Sequence, residues 1–382
     1  MSYLYRTVNA VISPQLSQEL TLSPASLGFL TSTYFLAFGL AQLPLGMLLD
    51  RFGPRRVEPA LLGLAALGAL LFSRAQSLGA LVVARGLIGV GVGACLMAPL
   101  KAIATWFPEA RRASLSGWMM VAGGLGALAA TTPLELALGH VGWRGIFLGL
   151  AACSLLVGGF IAWRVPDVPH VVPPGLGQQW AGVVAVLADR RFWWIAPLAA
   201  LGMGSFMAIQ SLWAVPWLME VDALTRAQAA GQLSSMGVVI VGGYAGIGLA
   251  STRLAKSGIH PRHLVLAGFG LSVLALFALV FLGGPRELLW PVYALGTAVN
   301  VLTFAVLNEG FPASVAARAN TALNLLMFAG TFLLQWGIGL IVEAVGDRAL
   351  GLRVAFAIIV VLEAASVAWF ASGFARHGRP ER

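Results

Sequence analysis

Arg6 is the first residue whose chemistry stands out. It lies in the apolar stretch Tyr3-Leu4-Tyr5-Arg6-Thr7-Val8-Asn9-Ala10-Val11-Ile12-Ser13-Pro14. If that stretch is a helix running on to Leu20, Arg6 is about 21 Å from its far end at 1.5 Å per residue. A bilayer's hydrocarbon layer is about 30 Å thick, so the guanidinium sits deep inside it. A charge at that depth is costly unless it is paired or faces water, which makes Arg6 a functional candidate. A guanidinium presents two parallel donors to a carboxylate or phosphate, so the chemistry it offers is anion binding. A structural ion pair would use the same group.

Amides and indoles in other apolar stretches could complete such a site. Gln210, Trp213 and Trp217 are spaced i, i+3 and i+7 and share one helical face, and Asn320 and Asn324, four apart, share another. With Asn9, Asn300 and Gln335 they would form a pocket of amides and indoles around one cation, suited to a small organic acid with an apolar body. Lys101 either adds a second positive group or snorkels to the headgroups. Glu135, Glu309 and Glu363 are the acids at membrane depth, and Glu135 is the choice for proton coupling. Trp193, Trp194 and Trp290 read as interface anchors. Met203 and Met207 carry soft thioethers but no Cys or His stands near them, so they read as packing, and no metal or cofactor is implied. Cys95 and Cys153 read as core residues outside any disulfide framework. The chain has no H-E-x-x-H or Gly-x-Ser-x-Gly pattern, and an enzyme is not expected.

The elements that hold these residues follow from composition. Of 382 residues, 59% are hydrophobic and 10% charged. A soluble domain carries about a quarter charged residues, so this chain could not cover its surface in water. Hydrophobic spans are predicted near 1–20, 26–49, 57–72, 78–104, 113–136, 143–163, 192–218, 228–252, 263–282, 288–308, 317–342 and 352–373. Sorted by alternating loops, sixteen of the 24 Lys and Arg fall on the side of Asp50–Arg56 and the C-terminus, and six on the other. That bias is the positive-inside signature and places both termini in the cytoplasm. The net charge of +9 is therefore topological, and nucleic acid is not an expected partner. The polar interval 164–191 contains Pro166, Pro169, Pro173 and Pro174, then a short amphipathic helix at Trp180–Leu187. It separates a six-helix bundle at 1–163 from a second at 192–373, with a cytoplasmic tail at 374–382. Gly46-Met47-Leu48-Leu49-Asp50-Arg51 aligns with Gly248-Leu249-Ala250-Ser251-Thr252-Arg253, and Pro14 with Pro216, at one offset of 202. Parallel six-span repeats with a midplane site describe one class of transporter.

Gly46-Met47-Leu48-Leu49-Asp50-Arg51-Phe52-Gly53-Pro54-Arg55-Arg56 closely resembles the G-x-x-x-D-R-x-G-R-R signature of the major facilitator superfamily. Arg85-Gly86-x-x-Gly89 resembles that superfamily's second motif, and Gly142-Trp143-Arg144 opens the sixth span. The resemblance implies an all-α polytopic membrane protein of twelve transmembrane helices in two six-helix pseudo-repeats. It also implies a gating role for Gly46, Asp50, Arg51, Gly53, Arg55, Arg56 and Arg85, with Asp50 facing the N-terminus of span eleven around Ala316–Asn320. Gly46 would let span two approach a neighbour, and Gly53-Pro54 would force a tight turn. Arg6-x-x-Asn9 with Pro14 resembles the first span of the anion:cation symporter and organophosphate antiporter branches, where a span-one arginine contacts the substrate's anionic group. Arg6 corresponds to Ala208 across the repeat, so the two-arginine clamp of the phosphate carriers is not met and a carboxylate fits better. The first span of this fold normally begins about a dozen residues earlier, so either its cytoplasmic half is short or it extends upstream of Met1. The expectation is a monomeric, multi-pass carrier of the bacterial-type inner membrane, moving a small organic anion by alternating access with proton coupling. Drug or metabolite efflux is the alternative, and it would call for an embedded acid on span one where Arg6 stands.

Overall fold

Inside hydrocarbon a backbone must satisfy its own hydrogen bonds, and a chain this apolar does so by coiling. The computed structural model describes residues 1–166, 175–256 and 260–377, and among them every regular element is helical. In chain order these are α1 Ser2–Glu19, α2 Pro24–Phe52, α3 Pro54–Arg74, α4 Leu78–Gly91, α5 Ala94–Trp106, α6 Glu109–Ala129, α7 Thr132–Arg164 and α8 Leu176–Leu187. Then come α9 Phe192–Ala208, α10 Ala214–Glu220, α11 Arg226–Lys256, α12 Pro261–Phe277, α13 Arg286–Thr297, α14 Thr303–Glu309, α15 Ala313–Val345 and α16 Arg348–His377. Three spans are composite. α4 and α5 form the fourth, interrupted at Val92-Gly93; α9 and α10 form the seventh, joined by a π-helical turn at Ile209–Trp213; α13 and α14 form the tenth, joined by a 3-10 segment at Ala298–Leu302. Ten spans are long and apolar enough to cross a membrane by composition, α6 has a shorter apolar core, and the polar residues of α1 lower its hydropathy. The twelve-span architecture read from the sequence therefore stands. The Pro-rich residues 167–174 of the central interval and residues 378–382 of the tail lie outside the described residues.

Local sequence explains the helix ends. Ser23 Oγ accepts the Ser26 N–H, and Pro24 fills the first turn of α2, where its missing N–H costs nothing. Gly53 takes φ 73° between α2 and α3, a left-handed backbone that glycine adopts freely, as the Gly-Pro turn required. The fifth span ends at Ala129, short of 136, because the following Thr-Thr-Pro run cannot propagate the helix and Pro133 opens the next one. Glu135 thus leaves span five for the first turn of α7, which is itself broken at Gly142 (φ 64°) before the sixth span.

Packing relies on close backbone approach, as expected where apolar side chains gain little by leaving lipid for each other. A Cβ on Gly89 of α4 would lie 2.5 Å from the Tyr34 carbonyl oxygen of α2, and one on Gly91 would overlap the Ala65 backbone of α3. α8 lies at the Asp50 end of the molecule, burying Val183 and Val186 beneath α15 and α9. Two placements differ from expectation. Cys153 is exposed on α7, and Trp290 is fully buried among aromatic rings where an interface anchor was expected.

Candidate functional site

Arg6 lies where the first six spans meet the last six. It is 8% exposed, and its Nη1 donates to the Met207 sulfur on α9 at 3.6 Å. Four rings surround the guanidinium carbon: Tyr3 at 5.0 Å, Phe38 at 5.5 Å, Phe328 at 5.8 Å and Phe35 at 5.9 Å to their centroids. Nε is buried without a partner, and among the described residues no carboxylate lies within 4.0 Å of the group. The Tyr34 hydroxyl also interacts with the guanidinium. A buried cation whose described neighbours are ring faces, a thioether and one hydroxyl keeps donor capacity for something else.

The other candidates divide into those near this interface and those turned away from it. Asn9, nearly one turn beyond Arg6, donates to Thr31 Oγ1 at 2.9 Å, and its Oδ1 is buried without a partner. Trp213 crosses to α15, donating to the Gln335 carbonyl at 2.9 Å, while Gln335 Nε2 donates to Ser211 Oγ at 3.1 Å and its Oε1 has no partner. Gln210 is half-buried on the π-helical turn. That turn adds a residue to the helical repeat, so the face shared in an ideal helix is lost. Trp217 consequently points into the second group of spans, stacked on Phe356 at 4.6 Å and edge-on to Trp290 at 6.4 Å. Asn300 sits on the 3-10 break with its Oδ1 buried and unpartnered, as is that of Asn320, and Asn324 is half-buried on α15. Lys101 is not at the site. Its ammonium donates to the Leu49 carbonyl at 2.8 Å and to Asp50 at 2.5 Å, because α5 runs alongside the end of α2.

Arg85 is completely buried on α4 and donates to the Tyr5 carbonyl at 3.1 Å, pinning the turn of α1 that carries Arg6. Tyr34 and Phe72 each lie 5.6 Å from its guanidinium carbon. The rings around Arg6 were missed by the sequence reading. Phe35 and Phe38, at i and i+3 on α2, were a visible signal, whereas Phe328 and Met207 reach Arg6 only through tertiary packing.

The two ends of the α2–α15 pair differ. At the Asp50 end, the Asp50 side chain is 46% exposed and held by Lys101, and among the described residues it makes no contact with span eleven. Among the described residues of neighbouring helices no atom lies within 4 Å of a Cβ placed on Gly46, so the expected close approach is not seen there in this arrangement. Arg51 lies over the Phe52 ring at 5.2 Å, Arg55 Nε donates to the Ala162 carbonyl at 3.1 Å, and Arg56 is exposed beside them. At the opposite end, which carries Glu19, the groups are joined. Glu343 of α15 accepts the Ala25 N–H in the first turn of α2 at 3.1 Å, a carboxylate on a helix N-terminus. Arg226 of α11 meets Glu135 at 2.9 Å and donates to the Val11 carbonyl of α1 at 2.8 Å. Thr132 and Ser234 hydrogen-bond at 2.9 Å, also across the two groups. Glu135 is therefore an ion-pair partner at this end rather than a free acid within span five. Glu19 in turn accepts from Trp143 Nε1 at 2.6 Å and pairs with Arg144, so the Gly142-Trp143-Arg144 run fixes the end of α1.

Comparison with known proteins places this architecture. Residues 1–335 match the family model described as Major Facilitator Superfamily. The chain belongs to that superfamily. Among its relatives in the superfamily, the probable L-galactonate transporter of Escherichia coli (strain K12) is 30% identical over 224 residues, covering 56% of this chain and 46% of that protein. The hexuronate transporter of Escherichia coli (strain K12) is 29% identical over 228 residues, covering 54% and 53%. These matches span about half the length of those relatives. A bacterial homologue of the human lysosomal transporter Spinster, solved in an inward-facing and unoccupied conformation, shares the major facilitator fold with a TM-score of 0.77 and 18% identity. That match covers 96% of this chain and 93% of the other. The relatives and the fold are those of transporters, not enzymes.

Proposed function

We propose that this chain is a secondary active carrier for a small organic anion, with Arg6 as its main electrostatic contact. One observation carries the reading: a buried guanidinium between the two six-span groups has no carboxylate partner among the described residues. A bound carboxylate would supply the missing charge and take two parallel hydrogen bonds. The names of the galactonate and hexuronate relatives extend the substrate class to hydroxylated carboxylates. The buried amide oxygens of Asn9, Asn300, Asn320 and Gln335, which find no donor among the described residues, suit hydroxyl groups on such a body. Cationic drug export is disfavoured by the positive charge on span one.

The Arg226–Glu135 pair and the Glu343–Ala25 contact hold one end closed, and alternating access requires them to part. A proton on Glu135 cancels the charge that holds Arg226, so the same residue serves both as latch and as the site of proton coupling. The sixteen-to-six distribution of basic residues supports a cytoplasmic side for the Asp50 end and both termini in an inner membrane. A cysteine at exposed Gly175 should resist impermeant thiol reagents in intact cells, and labelling there would reverse the orientation. The substrate class is tested by a thermal-shift screen of the purified protein against hexuronates, galactonate, simple carboxylates, phosphates and cationic drugs. Stabilisation by carboxylates is expected, and stabilisation by cations alone would overturn the reading.

A further inference from the structure

The surroundings of Arg6 raise a question that anion binding leaves open. A carrier that returns empty must bury this guanidinium with no anion present, and a lone charge in a low-dielectric interior is costly. Among the described residues no acid lies beside it, yet the group is not bare. Phe328 on α15 and Met207 on α9 approach it from the second six spans, facing Tyr3, Phe35 and Phe38 from the first. Phe328 is admitted by Gly39, where an added Cβ would lie 2.9 Å from the Phe328 Cβ. Its ring lies 4.7 Å from Phe38 and 6.4 Å from Phe35. The negative face of a ring and the lone pairs of a thioether both attract a cation, and both are weaker partners than a carboxylate.

We propose that Phe328 and Met207 are stand-in ligands of Arg6, positioning residues that shield its charge in the unloaded carrier and yield it to an arriving anion. An aspartate or glutamate in their place would compete with the substrate as an equal. Ring and sulfur stabilise the empty closed form, with Nη1 lent to a weak sulfur acceptor that a carboxylate displaces and Nε free of any partner among the described residues. Because both come from the second six spans, they can withdraw from Arg6 when the two groups separate. Met207, whose type suggested only packing, thereby acquires a role in the transport cycle.

This inference rests on Arg6 being the anion contact, and its test uses no anion, so the two can fail separately. Leu27 lines the groove at the Glu19 end, together with Ser17 and Leu22 of the first six spans and Trp213 and Val342 of the second. A cysteine at Leu27, with Cys95 and Cys153 replaced by alanine, is labelled by maleimide only when that end opens. Labelling rates are measured on the purified full chain for Phe328→Leu and Met207→Leu, each with Arg6 present and in an Arg6→Gln background. With Arg6 present, each substitution should accelerate labelling at least about threefold, the scale of a modest cation–π contact. In the Arg6→Gln background the same substitutions should change the rate less than about twofold, because no charge remains to shield. Equal acceleration in both backgrounds would reduce the two residues to packing, and no acceleration with Arg6 present would also overturn the proposal. Should Phe328→Leu fail to fold, the near-isosteric Met207→Leu decides alone.

Discussion

Burial and partnership separate the charged residues of this chain. Among the described residues Arg6 and Arg85 are buried without a carboxylate partner, and each is held by ring faces and weaker or neutral acceptors. Asp50 and Lys101 form an ordinary ion pair, with side chains 46% and 24% exposed. Exposed pairs of this kind contribute about 0–1 kcal/mol. Asp50→Asn should therefore lower the thermal unfolding midpoint of the purified protein by no more than a few degrees. A collapse of the folded protein would mean that Asp50 holds far more than this pair. Arg6 was legible because one charge interrupts an otherwise apolar run. The partner of Lys101 was not, because the pair is 51 residues apart in sequence and arises only when α5 packs beside α2.

Among the elements, the glycines of α4 and α2 make the clearest contrast. Gly91→Ala would drive a methyl group into the Ala65 backbone, and overpacking of this kind costs about 1–3 kcal/mol. Gly46→Ala meets nothing within 4 Å and should stabilise α2 slightly, since alanine favours a helix by about 0.8–1 kcal/mol over glycine. Thermal unfolding of the two variants should shift in opposite directions, and equal loss in both would contradict the packing described. The spans themselves were readable from hydrophobic runs, and the Gly53-Pro54 turn from its residue types. The π-helical turn at Ile209–Trp213 was not readable, because no proline or glycine marks it. It is the reason Trp213 reaches α15 while Trp217 turns to α16, although an ideal helix puts both on one face. Glu135 was misplaced for a related reason: the apolar pattern continues through the Thr-Thr-Pro break that ends α6.

At the scale of the whole molecule, one end is joined across the two six-span groups, and among the described residues the other is not tied by the Asp50 contact expected there. The sequence pointed to a carboxylate on a helix N-terminus as the device that ties α2 to α15. The structure has that device at the opposite end, where Glu343 faces the first turn of α2. Arg226 adds a second tie through Glu135 and the Val11 carbonyl. Glu135→Gln removes the charge while keeping the shape, and it mimics a protonated carboxyl. The variant should open the Glu19 end more often, seen as maleimide labelling of a cysteine at Leu27 several-fold faster than in the parent. An unchanged rate would make the Arg226–Glu135 pair incidental to gating and would remove Glu135 from proton coupling.

Isothermal titration of wild-type and Arg6→Gln protein measures most directly whether Arg6 takes an anion. The ligands are the carboxylates that stabilise the wild type in the thermal-shift screen, with galactonate and glucuronate included in every case. A carboxylate should bind the wild type and lose at least about tenfold in affinity in Arg6→Gln, since truncating one partner of a buried charge pair costs ~2–5 kcal/mol. Arg6→Lys keeps the charge but loses the fork, and should fall between the two. Affinity unaltered in a folded Arg6→Gln protein would contradict anion binding by Arg6.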